Sequence, residues 1–117
     1  MKKTSIIIAV AFLSIANSAL ANFSGTWQTT WGDSGVTRMT LHQSGKNVTG
    51  TYTHQNGFID GYVANKKTMR GSWTQSGNNR AGVVQFTLSP DGRSFTGKYN
   101  YDGEDSWTGT WNGVKIK

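Results

Sequence analysis

Val48-Thr49-Gly50-Thr51-Tyr52 sets an apolar residue, a glycine and a second apolar residue at alternate positions, with threonine between them. On an extended chain residues i, i+2 and i+4 share a face, so this stretch buries Val48, Gly50 and Tyr52 and turns both threonines to water. The unit recurs as Phe23-Ser24-Gly25-Thr26-Trp27, Ile59-Asp60-Gly61-Tyr62-Val63, Met69-Arg70-Gly71-Ser72-Trp73, Phe95-Thr96-Gly97-Lys98-Tyr99 and Trp107-Thr108-Gly109-Thr110-Trp111. One such segment is a half-buried strand. A chain of them predicts an antiparallel sheet closed on itself, because closure removes the edges a threonine-rich sheet would otherwise expose.

Turn residues punctuate the pattern at nearly regular intervals, at 32–35, 44–47, 55–57, 65–67, 77–79, 89–92 and 102–103, each with Gly, Asn or Asp where a tight hairpin needs positive φ. Between them lie eight strand candidates: 23–31, 36–42, 48–54, 58–63, 68–75, 81–88, 94–101 and 106–112. Pro90, the sole proline, falls in a turn, where its missing N–H costs nothing. The expectation is an all-β fold, an eight-stranded up-and-down (meander) β-barrel. Inward glycines weaken a strand, so they imply either bending at barrel corners or room for a large ring on a neighbouring strand.

The first stretch reads differently. Lys2 and Lys3 precede an apolar run from Ile6 to Ile15, and Ala19-Leu20-Ala21 has the small-x-small form of a signal-peptidase site. Residues 1–21 are therefore expected to be a cleaved signal peptide, and 22–117 a single barrel domain. The short, lysine-headed leader suggests a bacterial protein, periplasmic or secreted. With no cysteine in the chain, neither disulfide nor lipid-anchored cysteine is available, so stability must come from packing of the aromatic residues.

The chain carries +6 at pH 7, or +4 without Lys2 and Lys3. Along the sequence the cations look dispersed, with only Lys66-Lys67 and the Lys115/Lys117 tail close together. A nucleic-acid site would want a concentrated basic stripe, so no nucleic-acid partner is expected. Once the leader is cleaved, no membrane insertion is expected either.

Gly25-Thr26-Trp27 resembles the Gly-x-Trp signature of the calycin superfamily, and the Thr-Gly-Thr units at 49–51 and 108–110 are most similar to the avidin/streptavidin type. That resemblance implies a small barrel with a ligand in its mouth. It does not imply biotin. Where the family pattern has an asparagine two residues after the first-strand tryptophan, this chain has Thr29. The serine expected shortly after falls near Gly32-Asp33. Tyr52 matches, but the serine two residues on is His54. Without its donors and acceptors such a site loses orders of magnitude in affinity.

Two functional readings follow. In the first, Trp27, Thr29, Trp31, Tyr52, Trp73, Phe86, Tyr99, Trp107 and Trp111 line the interior and hold one small amphipathic molecule, with Thr29 available to accept from a buried Trp or Tyr. An eight-stranded barrel is only just wide enough for side chains to fill, so the alternative is a filled barrel acting through its loops. Asp33, His54, Asp102, Glu104 and Asp105 are then candidates for contact with a protein partner, as in an inhibitor or immunity-type module. His42 and His54 are expected about 20 Å apart at ~3.3 Å per residue, both exposed at strand ends, so no metal site is expected. The 102–105 run lacks the ordered ligands of a calcium loop. No nucleophile–base pair is visible, so neither an enzyme nor a cofactor is expected. The mostly short, polar outward residues, with Phe58, Tyr62 and Val83 as exceptions, suggest a monomer or weak oligomer.

Overall fold

The computed structural model describes residues 21–117; apart from Ala21, the expected signal peptide lies outside them. Eight strands follow in chain order: β1 (Gly25–Trp31), β2 (Gly35–Ser44), β3 (Asn47–Tyr52), β4 (Gly57–Val63), β5 (Thr68–Gln75), β6 (Arg80–Leu88), β7 (Ser94–Tyr99) and β8 (Gly109–Lys115), with a short 3-10 turn at His54–Asn56. Each pairs antiparallel with its neighbours, and β8 returns to β1, so the sheet is a closed up-and-down barrel. Alternation sets the faces. On β2, Thr37, Met39 and Leu41 are buried while Val36, Arg38, Thr40 and His42 are exposed.

Trp27, Phe23, Phe86, Phe95, Met39, Ile59 and Met69 are fully buried. Phe86 stacks on Phe95 at 4.2 Å, Trp27 tilts against Phe95 at 5.0 Å, and Trp111 meets Phe86 edge-on at 5.7 Å. Such pairs contribute about 0.5–1.5 kcal/mol each beyond their area. A cysteine-free domain of this size needs that density.

The inward glycines make room. A Cβ on Gly57 would meet the Tyr52 ring at 2.1 Å, and one on Gly71 would sit 2.5 Å from Gly61 Cα on the facing strand. β1 begins at Gly25 rather than at residue 23, because Gly25 takes φ 144° and sends the preceding residues across the end of the barrel. Phe23 plugs that end. Its N–H donates to Gln43 Oε1 (2.8 Å), Gln43 Nε2 donates to Ala21 O (2.7 Å), and Trp27 Nε1 donates to Phe23 O (3.0 Å). The opposite end stays open and carries the loops 32–34, 53–56, 76–79 and 100–108.

The last strand differs from the expected 106–112. β8 starts at Gly109 and continues to Lys115, because β1 needs a partner along its length: Trp31 pairs with Trp111 and Trp27 with Lys115. Trp107, expected on the inner wall, is left half-buried in the open-end loop, with Lys98 Nζ 5.3 Å from its ring centre.

Candidate functional site

The barrel interior is filled from the plugged end upward, and a cleft of about 60 Å³ remains at the open end. Its floor is Tyr52 from β3, Trp73 and Gln75 from β5, and Trp111 from β8; its walls are Trp31, Tyr99 and Tyr101. His54, Asn78 and Arg80 complete the rim. Of the interior residues expected from sequence, Trp31, Tyr52, Trp73, Tyr99 and Trp111 meet here. Trp27 and Phe86 lie deeper in the packed core, and Trp107 lies outside it. Thr29 is fully buried beside the floor and accepts from Trp111 Nε1 (3.0 Å).

The polar atoms of the floor are tied to one another. Tyr52 Oη donates to Gln75 Oε1 (2.8 Å), and Gln75 Nε2 donates to Asn78 Oδ1 (3.1 Å). Burial pushes the Tyr52 phenol well above its ordinary range, so it stays a donor at any physiological pH. Thr29 Oγ1 also donates to Thr37 O (2.9 Å). Two of the positions compared with the biotin pattern, Thr29 and Tyr52, are thus engaged by the protein's own groups. No described buried side-chain nitrogen or oxygen lacks a partner.

The rim is built from two ring pairs. His54 was expected to be an exposed strand end; instead it is partly buried, its ring 4.5 Å from that of Trp31. The 3-10 turn carries it inward, with its N–H on Thr37 Oγ1 (2.9 Å). Across the mouth Arg80 lies over Tyr101, guanidinium carbon to ring centre 4.5 Å. On the Arg80 side Trp73 is edge-on to Tyr99 (6.3 Å) and Tyr101 (5.4 Å), with its Nε1 donating to Asn100 O (3.0 Å). Trp111 joins the two sides, 6.4 Å from Trp31 and 6.1 Å from Tyr99. Gln75, Asn78 and Arg80 escape a sequence reading that looks for apolar inward positions. The available signal was strand parity, since Gln75 follows Trp73 by two.

The acidic loop divides. Glu104 Oε1 accepts from Tyr101 N–H (2.7 Å) and from the Thr108 hydroxyl, which hold its carboxyl below the usual range. That side chain locks the loop, whereas Asp102 and Asp105 point to solvent, as does Asp33 on the neighbouring turn. The Tyr99 phenol is raised first by burial, then by Tyr101 and by the carboxylates of Glu104 and Asp33. Among the described residues no three His, Cys, Asp or Glu gather closely enough to hold a metal ion, and no helix is long and apolar enough to cross a membrane.

No known family pattern and no curated protein sequence matches the chain. Among solved structures, the fold is similar to that of a redesigned β-barrel, mFAP1, determined bound to DFHBI. The TM-score is 0.59 at 18% identity, covering 81% of this chain and 94% of that one. The likeness is one of fold: a closed antiparallel barrel of eight strands.

Proposed function

We propose that this is an exported, non-enzymatic binding protein of calycin type that holds one small, flat, amphipathic molecule in the open-end cup. The observation that carries this reading is the convergence of six aromatic rings on a cleft that also presents Gln75, Asn78, Arg80 and His54. Apolar walls with a few placed polar groups are the usual composition of a ligand site. At about 60 Å³ the cup admits a few waters, at roughly 10–15 Å³ each. A drug-sized ligand, which needs about 300 Å³ or more, would have to part the Arg80–Tyr101 pair from the His54–Trp31 pair. Each pair would have to swing aside, and ring–ring and cation–π contacts of this kind are worth about 0.5–1.5 kcal/mol each. The solved barrel with bound DFHBI is consistent with this use of such a fold.

The test is native mass spectrometry of protein purified gently from the export fraction of its own host. A retained mass of a few hundred daltons, lost on denaturation, is the expected result. A bare protein that also takes up nothing from its host's small-molecule extract would sink the proposal.

A second reading has its own support. The four open-end loops share one end, with Asp33, Asp102 and Asp105 exposed on them. A protein partner held there should be lost when those three become Asn and kept when Trp111 becomes Phe; a carried small molecule should respond in the opposite order.

A further inference from the structure

In a meander, alternate turns share an end of the barrel. Here that rule gathers charges which look scattered along the chain. The plugged end carries Lys46, Lys66, Lys67, Arg93, Lys115 and Lys117 against the one described carboxylate Asp91. The open end carries Asp33, Asp102, Glu104 and Asp105, with Arg80 on its rim. The expected dispersion therefore gives way to two poles.

The basic pole is fixed in place. The backbone carbonyls of Lys46, Lys66, Lys67, Arg93 and Lys117 accept from Val63, Ala21, Leu88, Lys115 and Thr26 respectively, at 2.6–3.0 Å. The turns bearing these cations are thus stitched to the sheet ends and to the plug. Asp91 offsets one of them, its carboxylate held in the charged form by Ser89 Oγ (2.7 Å) and Arg93 N–H (3.0 Å), and the end stays strongly cationic. Apolar side chains border the same end: Tyr62 is 53% exposed, Val114 59% and Ile116 45%.

We infer that the plugged end docks on the surface of a bilayer containing anionic lipids, with the cup facing away from it. Lysines in clusters of this size are drawn to anionic headgroups, and exposed Tyr and Ile suit the interfacial layer beneath them. The acidic open end is repelled by the same surface, which fixes the orientation. A single-stranded nucleic acid would want a groove with stacking rings. The plugged end has an open concavity lined by Lys66, Lys67, Pro90 and Lys115, with no aromatic ring among its lining residues.

The test is co-sedimentation of the full chain with vesicles of phosphatidylcholine alone or mixed with phosphatidylglycerol. Wild type should prefer the anionic vesicles by about tenfold or more at low salt, and lose that preference near 0.5 M salt. Lys66→Glu and Lys67→Glu together should abolish it. Arg38→Glu and Lys98→Glu, on the barrel wall away from that end, change net charge equally and should keep most of it. The leader is common to all forms, so the difference reads the basic pole. If a double variant fails to fold, Lys66→Gln against Lys98→Gln repeats the comparison. Absence of anionic preference, or equal loss in both variants, overturns the inference. Tighter binding to a single-stranded oligonucleotide or dextran sulfate than to vesicles overturns it in favour of a soluble polyanion.

Discussion

Trp111 Nε1 donates to Thr29 Oγ1 across the seam where β8 meets β1, a 3.0 Å bond between residues 82 positions apart. The same hydroxyl donates to Thr37 O on β2, so one buried threonine ties three strands together and satisfies the floor of the cup. Thr29→Val keeps the shape and removes both bonds, leaving the Trp111 N–H unpaired in the core. The expected loss is about 1–3 kcal/mol in urea unfolding. Adding Trp111→Phe to Thr29→Val should cost less than the two separate losses combined, since the orphaned donor is then gone.

Gly71→Ala probes a close approach between β4 and β5. Its Cβ would fall 2.5 Å from Gly61 Cα and 2.4 Å from Asp60 O, backbone atoms that cannot step aside without breaking β4–β5 pairing. Destabilisation of at least about 1–3 kcal/mol is expected. An unchanged urea midpoint would mean these strands stand further apart than described.

Alkaline pH should weaken the fold. The Tyr52 and Tyr99 phenols have folded pKa values raised above their unfolded value near 10, so above about pH 10 the unfolded chain sheds protons that the native state retains. Stability from this source is complete below that pH and falls as pH rises beyond it. Tyr52→Phe should flatten the fall while costing about 1 kcal/mol at neutral pH for the lost Gln75 bond. Urea midpoints at pH 8 and pH 11 for both proteins decide the matter.

Trp31 and Trp107 look alike in the sequence but should separate in function. Trp31 forms a wall of the cup, while Trp107 packs outside it under Lys98. Trp31→Ala is expected to reduce ligand retention in native mass spectrometry by about tenfold or more, the loss of about 1.4 kcal/mol. Trp107→Ala should leave retention unchanged and cost at most about 1 kcal/mol of stability.

Much of this fold is written in local chemistry. Period-two alternation from Phe23 to Trp111, punctuated by Gly, Asn and Asp, predicts every strand and the identity of nearly every core residue. It slips at the last strand, where Trp107 and Thr108 fit the pattern and yet lie outside β8, which starts at Gly109 of the same unit. Alternation says which residues share a face, but not how far one strand slides along the next. That slide is decided by the need of β1 for a partner down to Lys115.

What the sequence by itself determined is the strand set and the sidedness, because each depends on residues a few positions apart; closure followed from the edges a chain of half-buried strands would otherwise expose. Which alternate turns share an end also follows from a meander, so the two charge poles were there to be found. Only the tertiary structure decided how full the barrel is, that Gln75, inward by strand parity, bonds Tyr52, and that His54 lies on Trp31. These outcomes rest on ring packing and strand stagger between residues far apart in the chain, where the energy of one contact depends on all its neighbours and no local pattern records it.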